Sequence, residues 1–194
     1  MLRQLLMQMI MRRFVLLIAV LTGCAPVPLG AADHPQVVVI VRHAEKSDAP
    51  AGDVTLNDAG QARAEELAIA LAEAKIDTVV VTQYRRTRDT AAPTSRQAGV
   101  TPIVVAAQSD TAKHVRDVAA AVRRGGYSVL VVGHSNTVPG IIEALGGPQM
   151  QELCDTEYSS LFTLILVPGQ PPRLVHGFYG APDEPADCRR QMKQ

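Results

Sequence analysis

The chain has 194 residues, 47% of them hydrophobic, and its 19 Lys+Arg balance 19 Asp+Glu. That length makes one domain with enough chain to bury a core. The charge balance excludes a nucleic-acid binder built on a basic face, and three Phe, four Tyr and no Trp leave little from which to build a stacking platform.

Residues 1–23 read as a leader rather than as fold. Arg3, Arg12 and Arg13 precede the apolar run 14–21, and no acidic residue occurs before Thr22-Gly23-Cys24. A positive start, a short apolar stretch and small residues at its end are the parts of a secretory signal. The run falls short of the roughly 20 apolar residues that span a bilayer. Leu21-Thr22-Gly23-Cys24 resembles the bacterial lipobox, whose Cys takes a lipid and becomes the first mature residue; an ordinary signal cut near Ala25 or Ala32 is the competing reading. Met11, followed by Arg12-Arg13, would serve as a start as well as Met1. Residues 24–35, rich in Pro and small side chains, then form a tether, and 36–194 the folded domain.

The expectation is therefore a protein of the bacterial cell envelope, periplasmic and held to a membrane by a lipid on Cys24. Ala25 rather than Asp after that Cys favours the outer membrane over the inner. Export would leave Cys154 and Cys188 as an even pair where disulfides persist, and a bridge between them would close the C-terminal tail onto the body. Two free thiols are the alternative.

From Gln36 the hydrophobic period alternates between strand and helix. Val37-Val38-Val39-Ile40-Val41 is a continuous β-branched run of the kind buried on both faces of a sheet. Residues 57–74 have helical spacing, with Asn57 or Asp58 available as cap. A strand over 77–82 follows, then a helix from about Tyr84 that ends near Pro93 or a little beyond. Residues 102–106 form a third strand, 111–124 a helix closed by Gly125-Gly126, 127–133 a fourth strand and 137–145 a short helix. Residues 160–167 and 173–178 flank a Pro/Gly-rich turn as a hairpin. This order predicts an α/β three-layer sandwich with a mainly parallel sheet and right-handed crossovers.

The unusual residues fall at strand ends. Arg42-His43 follows the first strand, Tyr84-Arg85-Arg86 the second and His134-Ser135-Asn136 the fourth. In open α/β sheets ligands bind beyond the carboxyl ends of the strands, so three motifs would meet in one crevice. Arg42 and Arg86 offer planar forks suited to phosphate oxygens, with Asn136 beside them. His43 and His134 supply two imidazoles, one a nucleophile when neutral, the other a donor to developing negative charge when protonated. No Cys lies in a Gly-rich anion loop, and no His-x-His or His-x-x-x-His spacing suggests a metal. The pattern fits phosphoryl transfer through a phosphohistidine, with no cofactor.

Several segments carry a resemblance to the histidine phosphatase superfamily, the phosphoglycerate mutase-like family. Val41-Arg42-His43-Ala44-Glu45-Lys46 is similar to its Arg-His-Gly signature, and Leu56-Asn57-Asp58-Ala59-Gly60-Gln61-Ala62 to the helix start that follows. Thr82-Gln83-Tyr84-Arg85-Arg86-Thr87-Arg88-Asp89-Thr90-Ala91 resembles its Ser-x-x-x-Arg-[Thr/Ala]-x-x-Thr-Ala segment, and Gly133-His134-Ser135-Asn136 its second-histidine motif. The resemblance covers 36 to about 145. It implies His43 as nucleophile, Arg42 and Arg86 as phosphate clamps, His134 as stabiliser of the transferred group, and a small phosphorylated substrate. Arg86 stands four residues after Thr82, as the pattern requires; Arg85 and Arg88 then face solvent or pair with acids. Ala44 replaces the usual Gly and Thr82 the usual Ser.

The proton donor has two candidates: Asp110, which equally reads as a helix cap, and Glu45, which equally reads as a solvated loop acid. Two rival functions stand beside the phosphatase. Gly133-His134-Ser135 resembles the start of a nucleophile elbow, so Ser135 with Asp155 and His176 would make a serine hydrolase. That reading leaves Arg42-His43 and Arg86 unexplained, and Thr137 stands where the last Gly belongs. The other rival is a tethered module that binds a phosphorylated ligand without turnover.

Overall fold

The computed structural model describes residues 34–48 and 52–183. The expected leader, the expected tether up to residue 33 with its Cys24, and Cys188 lie outside them. The elements in chain order are β1 (Gln36–Arg42), α1 (Asp58–Ala70), β2 (Thr78–Val81), α2 (Arg85–Ala98), β3 (Ile103–Val104), α3 (Thr111–Arg123), β4 (Ser128–Gly133), α4 (Val138–Ala144), β5 (Ser160–Leu166) and β6 (Arg173–Phe178). They build a six-stranded sheet in the order β3-β2-β4-β1-β5-β6. β3, β2, β4 and β1 run parallel, and the β5–β6 hairpin adds antiparallel on the far side of β1.

Side chains alternate across the pleat, and each face has its own core. Val38, Ile40, Val129 and Val131 point to α3 and α4, where they bury Val118, Val122, Ile141 and Ile142. Val39, Val41, Val79 and Leu130 point the other way, onto Leu67 and Leu71 of the α1 region and Ala91 of α2. A strand covered on both faces needs apolar residues at every position, which explains the unbroken run in β1. The three layers agree with the expected sandwich.

Local chemistry sets the helix starts. Asn57 caps α1, its side-chain oxygen accepting from Gly60 N at 2.9 Å, so Asn57 rather than Asp58 takes that role. Asp110 caps α3 in the same way, accepting from Lys113 N at 2.9 Å. Two boundaries differ from expectation. α2 continues past Pro93 to Ala98 and closes on Gly99 in the left-handed region at φ 70°. An interior proline costs a helix about 3 kcal/mol, but Ala91, Pro93, Thr94 and Ser95 are all buried here, and that packing carries the helix through. β3 shrinks to two exposed residues because it is the sheet edge, with β2 its partner on one side alone.

Candidate active site

Sheet order alone brings the two histidines together. β1 and β4 are parallel neighbours in a register that pairs Arg42 with Gly133, so the chain leaves both strands at the same level. His43 N donates to Gly133 O at 3.0 Å. The imidazoles of His43 and His134 meet edge-on, 5.4 Å between centroids and 66° between planes. β2 flanks β4 on its other side, and the hydroxyl of Thr82, just after β2, stands 3.2 Å from His134 Nε2. The Thr137 hydroxyl holds the turn after β4, accepting from His134 N at 2.9 Å.

Around the histidines lies a crevice of about 390 Å³ lined by Arg42, His43, Lys46, Gly52, Val54, Arg86, His134, Ser135, Asn136 and Asp155. His43, His134, Arg42, Arg86 and Asn136 thus converge from three strand ends. A larger groove of about 530 Å³ between α1 and α2 is lined by no histidine among the described residues, and its Arg96 pairs with Glu65 at 3.1 Å. It lacks the chemistry of the crevice.

Each arginine is laid on a tyrosine. Arg42 is buried, its guanidinium 4.2 Å from the centre of the Tyr158 ring. Its Nη1 donates to Cys154 O at 2.5 Å and Glu157 O at 3.2 Å. Its Nε is buried with no hydrogen-bond partner among the described residues. The 154–158 turn that grips it is itself tied down. Glu157 accepts from Cys154 N at 3.3 Å and from the Ser160 hydroxyl at 2.6 Å. Asp183 accepts from Tyr158 N, Ser159 N and the Ser159 hydroxyl at 2.8, 2.9 and 2.7 Å. Cys154 is disulfide-bonded. Arg86, half-buried at the start of α2, lies 4.3 Å from the Tyr84 ring centre, whereas Arg85 and Arg88 are exposed. Cation–π stacking restricts a long side chain to one plane without occupying its outward N–H groups.

Burial and the neighbouring cations govern the imidazoles. His43 Nδ1 lies 2.8 Å from Ala44 O; a carbonyl only accepts, so Nδ1 carries the hydrogen and Nε2 the lone pair. Burial, opposed by that hydrogen bond and aided by Arg42, Arg86 and Lys46, lowers the His43 pKa to about 4. The ring is neutral at pH 7, as a nucleophile requires. His134 is pushed to about 3, by burial first and then by Arg86 and His43. It too is neutral at pH 7, and a neutral imidazole still presents one N–H.

These shifts make stability depend on pH. Between about 6.5 and the folded values near 4 and 3 the unfolded chain binds more protons than the native one, so stability falls as pH drops through that window. From pH 6.5 to 5 each histidine accounts for about 2 kcal/mol of loss. Urea unfolding at the two pH values measures it, and His134→Gln is expected to remove about half of the histidine-linked change.

The proposed proton donors are elsewhere. Asp110 is an exposed helix cap, and Glu45 is held in an ion pair at 2.8 Å by the buried Arg63, whose Nη1 also donates to Tyr179 O and Ala181 O. Neither lines the crevice. Gly60 explains why the Glu45 loop packs so tightly: a Cβ there would sit 2.1 Å from Glu45 O. The rival triad does not assemble. His176, on β6, lies 3.0 Å from the Ser160 hydroxyl and stacks on Phe162, away from Ser135 and Asp155. Among the described residues no group of three or more His, Cys, Asp or Glu is placed to hold a metal ion. Sequence reading missed Tyr84 and Tyr158 as arginine supports and Asp155 as a crevice acid; proximity of Tyr84 to Arg86 was visible, but the reach of the 154–158 turn was not.

Comparison with known proteins fits this picture. Residues 38–110 match the family model described as histidine phosphatase superfamily (branch 1); the match ends before His134. No curated protein matches by sequence. Among solved structures, the protein histidine phosphatase SixA complexed with tungstate is similar at TM-score 0.58 and 19% identity, over 74% of this chain and 97% of that one. The mycobacterial glucosyl-3-phosphoglycerate phosphatase with inorganic phosphate gives 0.57 and 16%, over 75% and 97%. The putative phosphohistidine phosphatase SixA from Agrobacterium tumefaciens gives 0.53 and 23%, over 76% and 99%. At these identities the likeness establishes a shared fold.

Proposed function

We propose that the chain is a phosphatase of the histidine phosphatase superfamily, whose model residues 38–110 match, and that it cleaves small phosphomonoesters through a phosphate carried on His43. The observation that carries this reading is the crevice itself: a neutral imidazole with its Nε2 lone pair uncommitted, 5.4 Å from a second imidazole and flanked by two arginine forks. In the proposed mechanism Nε2 attacks phosphorus in line with the leaving oxygen. Arg42 and Arg86 face the equatorial oxygens, and His134 donates its N–H to them. Charge neutralisation by fixed donors is the main demand of phosphoryl transfer, and the two guanidinium groups supply it without a metal. Water then hydrolyses the phosphohistidine.

The structural relatives are described as acting on phosphohistidine and on glucosyl-3-phosphoglycerate, and both descriptions are compatible with a crevice that grips the phosphoryl group by charge. The leader and Cys24 carry the further proposal that the domain works on the periplasmic side of the bacterial envelope, tethered by lipid, on substrates found there. Hydrolysis of p-nitrophenyl phosphate in EDTA, with p-nitrophenyl acetate alongside, tests the reaction class. Phosphatase turnover that survives chelation, with no esterase activity, is the expected result. Esterase activity lost with Ser135→Ala would transfer the site to the serine hydrolase reading.

A further inference from the structure

Among the described residues that line the crevice Asp155 is the one carboxylate, and the other charged residues there, Arg42, Lys46 and Arg86, are all cations. The flanking turn is rigid: the carbonyls of Cys154 and Glu157, on either side of Asp155, both accept from Arg42. Yet the Asp155 carboxylate itself makes no hydrogen bond or ion pair with any described residue. The two other acids near this chemistry are committed, Glu45 to Arg63 at 2.8 Å and Asp110 to Lys113 N at 2.9 Å. The Tyr158 ring, whose hydroxyl feels the Asp155 charge, stands 6.3 Å from the His43 ring. Asp155 is exposed to solvent on its crevice side of the turn, so a ligand entering the crevice meets its carboxylate directly. It lines the crevice on a turn fixed by its backbone, and its oxygens are uncommitted among the described residues.

We propose that Asp155 is the proton-transfer residue of the reaction, a role that rests on the phosphatase reading above. As His43 Nε2 forms its bond to phosphorus, the bond from phosphorus to the leaving oxygen breaks, its electron pair goes to that oxygen, and the oxygen takes the carboxyl proton of Asp155. In the second step the carboxylate takes a proton from water as the water oxygen bonds phosphorus. The phosphorus–nitrogen bond breaks and its electron pair returns to Nε2, so His43 and Asp155 end as they began.

General acid assistance matters in proportion to the basicity of the leaving oxygen, and its removal typically costs 10²–10⁴-fold. The test compares phenyl phosphate with p-nitrophenyl phosphate, two esters of similar shape whose leaving groups differ in their need for a proton. Asp155→Asn is expected to lower kcat/KM for phenyl phosphate by about 10²-fold and to change it for p-nitrophenyl phosphate by less than about threefold, so the ratio between the esters widens. Asp110→Asn, which keeps the cap, is expected to leave the ratio unchanged. Equal losses on both esters, or no loss on either, in an Asp155→Asn chain with wild-type circular dichroism would overturn the assignment. A wild type inert to both esters, or turnover that survives His43→Ala, would instead overturn the phosphatase reading itself.

Discussion

His43→Ala is expected to abolish phosphatase turnover, a loss of about 10³-fold or more, while the chain keeps its fold. The reason for the large effect is that the neighbouring imidazole is not oriented to take the nucleophile's place. His134 is neutral but its Nε2 lies 3.2 Å from the Thr82 hydroxyl and its ring is edge-on to His43, an orientation suited to assisting rather than to replacing. The reason for an intact fold is position. His43 follows β1 rather than lying within it, and both hydrophobic cores are built from other residues. The side chain's hydrogen bond runs to the next carbonyl, Ala44 O, at 2.8 Å, so its loss leaves no distant element without a partner. Because the ring is buried against its own titration, the variant is expected to be at least as resistant to mild acid as wild type. Steady-state hydrolysis of p-nitrophenyl phosphate with parallel circular dichroism measures both halves of the expectation.

The second large effect separates neighbouring arginines. Arg86→Ala is expected to lower kcat/KM by about 10²-fold or more, in the range typical of a lost charge at a transferring phosphoryl group. Arg85→Ala, one residue away, is expected to change it by less than about twofold, as exposed charges outside a site usually do. The distinction follows from the helix. Arg86 enters the crevice with its guanidinium stacked 4.3 Å from Tyr84. Arg85 is exposed, and its backbone N–H, which the substitution preserves, donates to Asp53 at 2.6 Å. Arg86→Lys keeps the charge and loses the planar fork, so it is expected to recover only part of the activity. Equal losses for Arg85→Ala and Arg86→Ala would move the phosphate clamp to another register of α2.

What the sequence made legible was governed by short-range rules. The unbroken run of β1, the caps at Asn57 and the alternation of strands with helices follow from local pattern, and together they imply that motifs after β1, β2 and β4 face one crevice. That His43 and His134 stand side by side needed one more fact, the strand order, and a parallel β1–β4 pair supplies it. Other features depend on contacts between distant parts of the chain. Arg42 is fixed by carbonyls 112 and 115 residues away, and Glu45 is diverted from the crevice by an arginine 18 residues on. A carboxylate next to a nucleophile in sequence reads as a catalytic acid until the buried cation that claims it is seen. Asp155 shows the converse. Its order after Ser135 suggested only the acid of a triad that does not assemble, and its place beside His43 depends on the turn that brings it to the crevice. The neutral state of His134 also depends on the fold, because it arises from burial beside Arg86 and His43.

The arrangement divides the work between charge and position. Two tyrosines hold the arginines in plane, Asp183 and Glu157 hold the turn that holds Arg42, and Thr82 and Thr137 hold His134. Positioning donors in advance spares the reaction the reorganisation that water would demand.

The central claim is that phosphate passes through His43, and the most direct measurement is to trap it there. The wild-type chain is mixed with p-nitrophenyl phosphate, quenched in base, which preserves phosphohistidine, and digested for mass spectrometry. The account predicts phosphate on the peptide that contains His43, absent from the same peptide of His43→Ala. Rapid turnover with His43 unmodified at every quench time, or phosphate found on Ser135 instead, would contradict it.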